Sequence, residues 1–255
     1  MHLHLDLIAG LPHEDYDSFK NSFNEVVANK PDQLQLGFLK VLYGAPMHTK
    51  ASEYQIKYTH TPPYEVLSTH KLSFDDVLRL KSVEEMTEIY YNTHRFDSEI
   101  AYLGKFFETE FDMFEQIAQF YEKGEYYLAP HSKLAYYDIL YNFANTLDGI
   151  DVTLYKELAK YDICTHEKYR KLPEWVNCDL TKSNRDKIIE FYQNNADTEL
   201  FAGYDNAPST FLAKVAHIEG FSVNPFTMQN EKTFVLFNYN ERDINGKCVG
   251  RIIEL

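Results

Sequence analysis

Residues 2–9, HLHLDLIA, alternate strictly: His2, His4, Asp6 and Ile8 fall on one side of an extended chain and Leu3, Leu5 and Leu7 on the other. Gly10-Leu11-Pro12 ends the strand. Phe19, Phe23, Val26 and Val27 recur at helical spacing, so residues 15–29 are predicted as an amphipathic helix that Pro31 stops. Residues 33–42, QLQLGFLKVL, alternate again, with Gln33, Gln35 and Gly37 against Leu34, Leu36 and Phe38. Strand, helix and strand in this order form a β-α-β unit, which builds parallel sheet with a right-handed crossover. Parallel strands are ordinarily covered on both faces and paired on both edges. Two alone leave the expectation that further strands belong beside them.

After a loop containing Pro62-Pro63-Tyr64, the period is helical. Val77, Leu80, Val83 and Tyr90 mark one helix over about residues 74–93. Ser98 reads as the N-cap of a second, with Leu103, Phe107, Phe111, Phe114, Ala118 and Tyr121 as its apolar face and Gly124 as its C-cap. Pro130-His131-Ser132 opens a third, carrying Leu134, Tyr137, Tyr141 and Ala144, and a short helix follows over residues 152–161. Residues 162–182 lose the period and hold the single Trp175. Ser183 with Asp186 resembles a capping box opening a helix through Ile188 and Phe191. Strands are expected over 211–218 and 233–239, the latter joined by an Asn245-Gly246 hairpin turn to a strand over 248–253. The fold class is therefore mixed α and β: an N-terminal β-α-β remnant of a β/α barrel over residues 1–60, a helical region over 61–162, and a small C-terminal antiparallel sheet with a helix over 163–255.

Composition narrows the function. Hydrophobic residues make up 44% of the 255, enough for a sizeable core, and the 20 Tyr and 18 Phe supply large rings to fill it. A net charge of −14 repels phosphate backbones and argues against nucleic acid. No apolar run approaches the roughly 18 residues that span a bilayer, so no membrane partner is expected. Cys164, Cys178 and Cys248 are odd in number and far apart, which fits reduced thiols in a cytoplasmic protein and shows no metal or cluster spacing.

The segment richest in chemistry is Asp6-Leu7-Ile8-Ala9-Gly10-Leu11-Pro12. In a β/α barrel the leucine face meets the helices, and Asp6 and Ile8 point into the lumen. There Asp6 can accept hydrogen bonds from ligand hydroxyls or amines, and Gln35 and Gly37 continue the same face. Alternation also puts His2 and His4 on one side, as in metal-dependent hydrolases of barrel type. They lie at the N-terminal end of the strand, however, and barrel active sites lie at the other end. No Gly-rich phosphate loop, G-x-S-x-G elbow or H-E-x-x-H occurs.

D-L-I-x-G-L-P, an acidic helix, and a strand ending Leu39-Lys40-Val41-Leu42-Tyr43-Gly44-Ala45 resemble the last part of the radical SAM catalytic barrel. His13 stands where the family commonly has Gly, Asp15 where it has Thr, and Tyr43-Gly44-Ala45 where it has Pro-Gly-Thr. The likeness continues through Pro62-Pro63-Tyr64-Glu65-Val66-Leu67 to Tyr90-Tyr91-Asn92. It is strongest with the cobalamin-binding-domain group labelled anaerobic Mg-protoporphyrin IX monomethyl ester oxidative cyclases. The resemblance implies an oxidoreductase with a 4Fe-4S cluster, S-adenosylmethionine and, in this group, cobalamin. The cluster loop C-x-x-x-C-x-x-C is not in this sequence, so no catalytic residue, metal ligand or bound cofactor is expected of this chain alone. The expectation is one wall of an S-adenosylmethionine and substrate pocket, from Asp6, Ile8, Gly10, Gln35 and Gly37. Its expected partners are the missing N-terminal portion of the parent protein and a second copy paired along an exposed strand edge. The alternatives from other classes are a non-catalytic interaction or scaffold protein and a metal-dependent hydrolase using His2 and His4.

Overall fold

The structure is a computed structural model and describes residues 2–169, 171–195, 198–201, 204 and 207–255. It is mixed α and β and divides into two compact units, each drawing on two stretches of chain: Met1–Thr93 with Leu103–Ala129, and His94–Tyr102 with Pro130–Leu255. The expected boundaries at 60 and 162 fall inside these units.

In the first unit, β1 (His4–Ala9) and β2 (Gln33–Phe38) pair in parallel, with Asp6 opposite Gln35 and Ile8 opposite Gly37. Between them runs α1 (Tyr16–Val27), whose N-cap Asp15 and third helical residue Ser18 exchange side-chain hydrogen bonds in a capping box. β2 is shorter than expected. Once Leu39 N–H has bonded Ala9 C=O there is no further β1 to pair with. Residues 39–41 turn instead to Tyr64–Val66, with Val41 N–H donating to Tyr64 C=O and Val66 N–H to Leu39 C=O. The expected loop here holds α2 (Pro46–Lys50) and an antiparallel pair, β3 (Lys57–Tyr58) and β4 (Val66–Ser68).

α3 (Phe74–Tyr90) buries Val77, Leu80, Val83 and Tyr90, and a second capping box, Ser73 with Asp76, begins it. The single helix expected from Ser98 is two. α4 (Asp97–Leu103) has Ser98 inside its first turn, and α5 (Glu110–Lys123) starts at its own cap, Thr109, whose hydroxyl accepts from Asp112 N–H. The apolar period runs on through Gly104 and Thr109, but the backbone breaks between them. Gly124 does cap α5. α5 packs on α3 and α1, with Phe111 and Phe114 edge-on to Phe23 at 5.4 and 6.0 Å. Arg79 lies 4.1 Å over the Tyr16 ring and pairs with Glu115, which also accepts from Tyr16 O–H at 2.5 Å.

In the second unit, α6 (Lys133–Ala144) starts at Ser132 as expected, and α7 (Val152–His166) runs five residues beyond its expected end. Its side chains are buried on nearly every face, including Glu157, Lys160 and Asp162. The irregular stretch contains α8 (Asp179–Ser183). α9 (Arg185–Asn194) begins without a side-chain cap, because Ser183 closes α8 instead and donates to Leu180 C=O. The strand expected over 211–218 is α10 (Ser209–Val215) followed by β5 (Ala216–Phe221). β6 (Thr233–Arg242) and β7 (Cys248–Ile253) complete an antiparallel sheet in the order β5-β6-β7, with Gly246 at φ +77° in the expected turn. No helix among the described residues is long and apolar enough to cross a membrane.

Candidate functional site

Alternation along β1 and β2 sorts the first unit's sheet into two unlike faces. Leu34 and Leu36 are buried on the face that α1 and α3 cover. His4, Asp6, Ile8 and Gln35 are exposed on the other, and Ile8, a large aliphatic side chain, remains 49% accessible. Asp6, Ile8, Gln35 and Gly37 together line a shallow recess of about 400 Å³ that Lys40 borders. The structure thus brings four of the five expected site residues onto one surface, near the carboxyl ends of two parallel strands. Open α/β sheets bind ligands at those ends.

Gly10 is the exception. It is buried, with φ +86°, and a Cβ there would lie 2.7 Å from Val66 Cγ1. Its part is the turn and the close approach of β4, which only glycine allows.

His4 on β1 and His2 just before it each face a carboxylate. His4 Nε2 is 3.0 Å from Asp6 Oδ1 and His2 Nδ1 is 3.7 Å from Asp32 Oδ2. The edge of β2 is partly closed by Asn92. Its amide accepts from Leu34 N–H at 2.9 Å and donates to Leu34 C=O at 2.8 Å, as a neighbouring strand would. Tyr91 O–H reaches Pro31 C=O beside it at 2.7 Å. Sequence reasoning singled out Tyr90-Tyr91-Asn92 by family likeness; its physical work is this edge.

A second convergence of reactive groups lies in the second unit, and sequence reasoning missed it. Cys164 on α7 and His217 and Glu219 on β5 place one ligand atom each within 4.8 Å of one another. His217 and Glu219 are two apart on a strand and so share a face. Glu219 is nearly inaccessible, and His217 Nε2 meets its Oε2 at 2.9 Å. The Thr181 hydroxyl, on α8, donates to Glu219 Oε1 and accepts from Gly220 N–H at 2.8 Å. Cys178 lies just before α8; burial and then the nearby Glu219 carboxylate push its thiol up to about 11. Burial holds the Cys164 thiol well above its ordinary range, with Glu219 adding to the effect. Cys178 and His217 line a cavity of about 460 Å³ together with Lys168, Lys182 and Arg185. The one signal available in the sequence was the His217-x-Glu219 pair; 164 and 178 lie too far from it for any spacing rule.

Against curated proteins the chain finds no match. A family model described as a protein of unknown function, DUF4080, matches residues 52–237, which is most of the chain. The chain therefore belongs to the DUF4080 family.

Proposed function

We propose that this chain supplies one wall of the S-adenosylmethionine and substrate pocket of a radical SAM iron–sulfur oxidoreductase, with the remaining residues as its accessory region. The observation that carries the reading is the open face of β1 and β2. A parallel pair whose leucine face is covered presents its polar face bare, with Asp6, Ile8, Gln35 and Gly37 around one recess. The D-L-I-A-G-L-P segment supports the same reading, as does membership of a family found in radical SAM and cobalamin-associated proteins.

The cluster itself does not fit these residues. The β-α-β segment contains no cysteine, and Cys164, Cys178 and Cys248 lack the three-cysteine loop spacing. No catalytic step is therefore assigned to this chain. What its residues can do is bind. The Asp6 carboxylate accepts hydrogen bonds from hydroxyl or ammonium groups, Ile8 offers apolar surface to a ring, and Gly37 lets a ligand approach the backbone closely. The cobalamin-dependent subgroup belongs to the same proposal.

Two measurements test it. The reading frame upstream of codon 1 should encode C-x-x-x-C-x-x-C; a stop codon and ribosome-binding site directly before Met1 would overturn the enzyme reading in favour of a binding or scaffold role. In the chain itself, S-adenosylhomocysteine should shift the backbone amide resonances of Asp6, Ile8, Gln35 and Gly37, and Asp6→Ala should weaken the response. Shifts confined to other residues would refute the assignment of the wall.

A further inference from the structure

We propose that Cys164, His217 and Glu219 form a binding site for a single zinc ion in the second unit. Three unlike donors, a thiol, an imidazole and a carboxylate, come from a helix and a strand to lie within 4.8 Å of one another. Thiolate, imidazole and carboxylate oxygen are the ligand types zinc takes, in a tetrahedral set. Thiolate and carboxylate carry two negative charges and neutral imidazole none, so the bound ion leaves the buried site with no net charge. That matters where an isolated charge is expensive.

The surroundings meet the further demands on such a site. A carboxylate ligand has to be oriented by a hydrogen bond from outside the ligand set. Thr181 does this for Glu219, and is itself fixed by Gly220 N–H. An ion also needs a route in. His217 lines the 460 Å³ cavity, whereas Cys164 and Glu219 are buried. Cys178 lines the same cavity. On binding, the Cys164 thiol proton leaves to solvent, the His217 ring proton moves from Nε2 to Nδ1, and the His217–Glu219 hydrogen bond is replaced by two bonds to the metal.

A packing role alone accounts for less. A thiol that only fills a core has apolar neighbours, whereas Cys164 has Phe221 and Val235 on one side and a buried carboxylate with its histidine on the other.

Cobalt(II) is the probe, added to the full chain after reduction and chelator treatment. One equivalent should bind and give thiolate-to-cobalt charge-transfer absorption with tetrahedral d–d bands, and zinc should abolish both. Cys164→Ser should remove the charge-transfer band. His217→Ala, at the cavity wall, should remove tight binding while leaving the far-ultraviolet circular dichroism unchanged. Thr181→Val, which touches no metal, should weaken binding about 10- to 100-fold, and Cys248→Ser should leave the spectrum as it was. A chain that gives no such bands with stoichiometric cobalt, or bands that persist in both Cys164→Ser and His217→Ala, would overturn the site.

Discussion

Replacing Asp162 by Asn should change how stability depends on pH, and the structure fixes the sign. Asp162 lies on α7, fully buried, and its Oδ2 accepts from Ser98 N–H at 2.8 Å and Glu99 N–H at 3.0 Å, at the start of α4. Its Oδ1 has no partner among the described residues. Burial raises its carboxyl to about 7; Lys247 and the two N–H donors pull the other way without cancelling it. The unfolded chain releases this proton near 4. Between the two values the folded protein holds a proton that the unfolded chain has lost. The stability this group contributes is therefore complete below about pH 4 and declines as pH rises to about 7.

About three pH units at 1.36 kcal/mol each set a ceiling of ~4 kcal/mol. Relaxation and water entry around the ionised group reduce it, and about 2 kcal/mol between pH 5 and 8 is the expected size. The amide introduced by Asp162→Asn keeps an oxygen for Ser98 and Glu99 but puts its NH2 group where Oδ1 had no partner. That costs roughly 1–3 kcal/mol at every pH. The offset is therefore not the signal; the slope is. The melting temperature of D162N relative to the parent should rise by about 4–8 °C from pH 5 to 8, at roughly 2–4 °C per kcal/mol for a chain of this order of size. Circular dichroism melts at four pH values suffice. A difference that stays constant, or falls, with pH would refute the reasoning.

Glu99, inaccessible and beside Asp162, holds its proton well above the usual carboxylate range through burial and that neighbouring charge. Glu99→Gln should therefore change urea stability at pH 7 by less than about 1 kcal/mol, as a neutral amide replaces a neutral acid; a loss above ~3 kcal/mol would mean the carboxylate is ionised. Gly10→Ala should destabilise by about 2–4 kcal/mol, combining the positive φ with the clash on Val66, whereas Gly44→Ala, at φ +80° with nothing within 4 Å, should cost only ~1 kcal/mol; equal losses would remove Val66 from the explanation. Lys160, 1% accessible, donates to Glu157, Asn177 C=O and Gly220 C=O at 2.9, 2.9 and 2.8 Å. Lys160→Met should lower unfolding free energy by about 3–5 kcal/mol in urea titrations, since Glu157 stays buried without its counter-ion.

Periodicity made the N-terminal strands and α1 and α3 legible, because each has one face to bury and the side chains record it. It could not record where the backbone breaks. Leu103, Phe107, Phe111 and Phe114 keep helical spacing across Gly104 and Thr109, and only the Thr109 cap distinguishes two helices from one. Phe211 and Leu212 suggested a strand, yet Ala213 and Lys214 are good helix formers, and Leu212 is buried from a helix started by Pro208. Four residues of the recess followed from strand alternation alone. The Cys164–His217–Glu219 cluster did not, since its members meet only after β5 is laid beside α7. A three-dimensional coincidence of this kind leaves no spacing in the chain.

Two sets of polar side chains are treated in opposite ways, and that difference sorts function from support. In the second unit Lys160 and Glu157 are buried with hydrogen-bond partners, so their charges are satisfied within the unit. In the first unit Asp6, Gln35 and Ile8 stand on a sheet face that no described residue of the unit covers, beside an edge only partly closed by Asn92. Leaving a parallel sheet bare on one face forgoes the burial that stabilises such sheets elsewhere. At roughly 25 cal/mol per Å², covering Ile8 and its neighbours would add stability, so a sequence under no other constraint would extend a helix or strand across them. The α1 and α3 face shows that this chain can do so. The open side is therefore where a ligand or further strands are expected, and the buried cluster of the second unit is where an ion is expected.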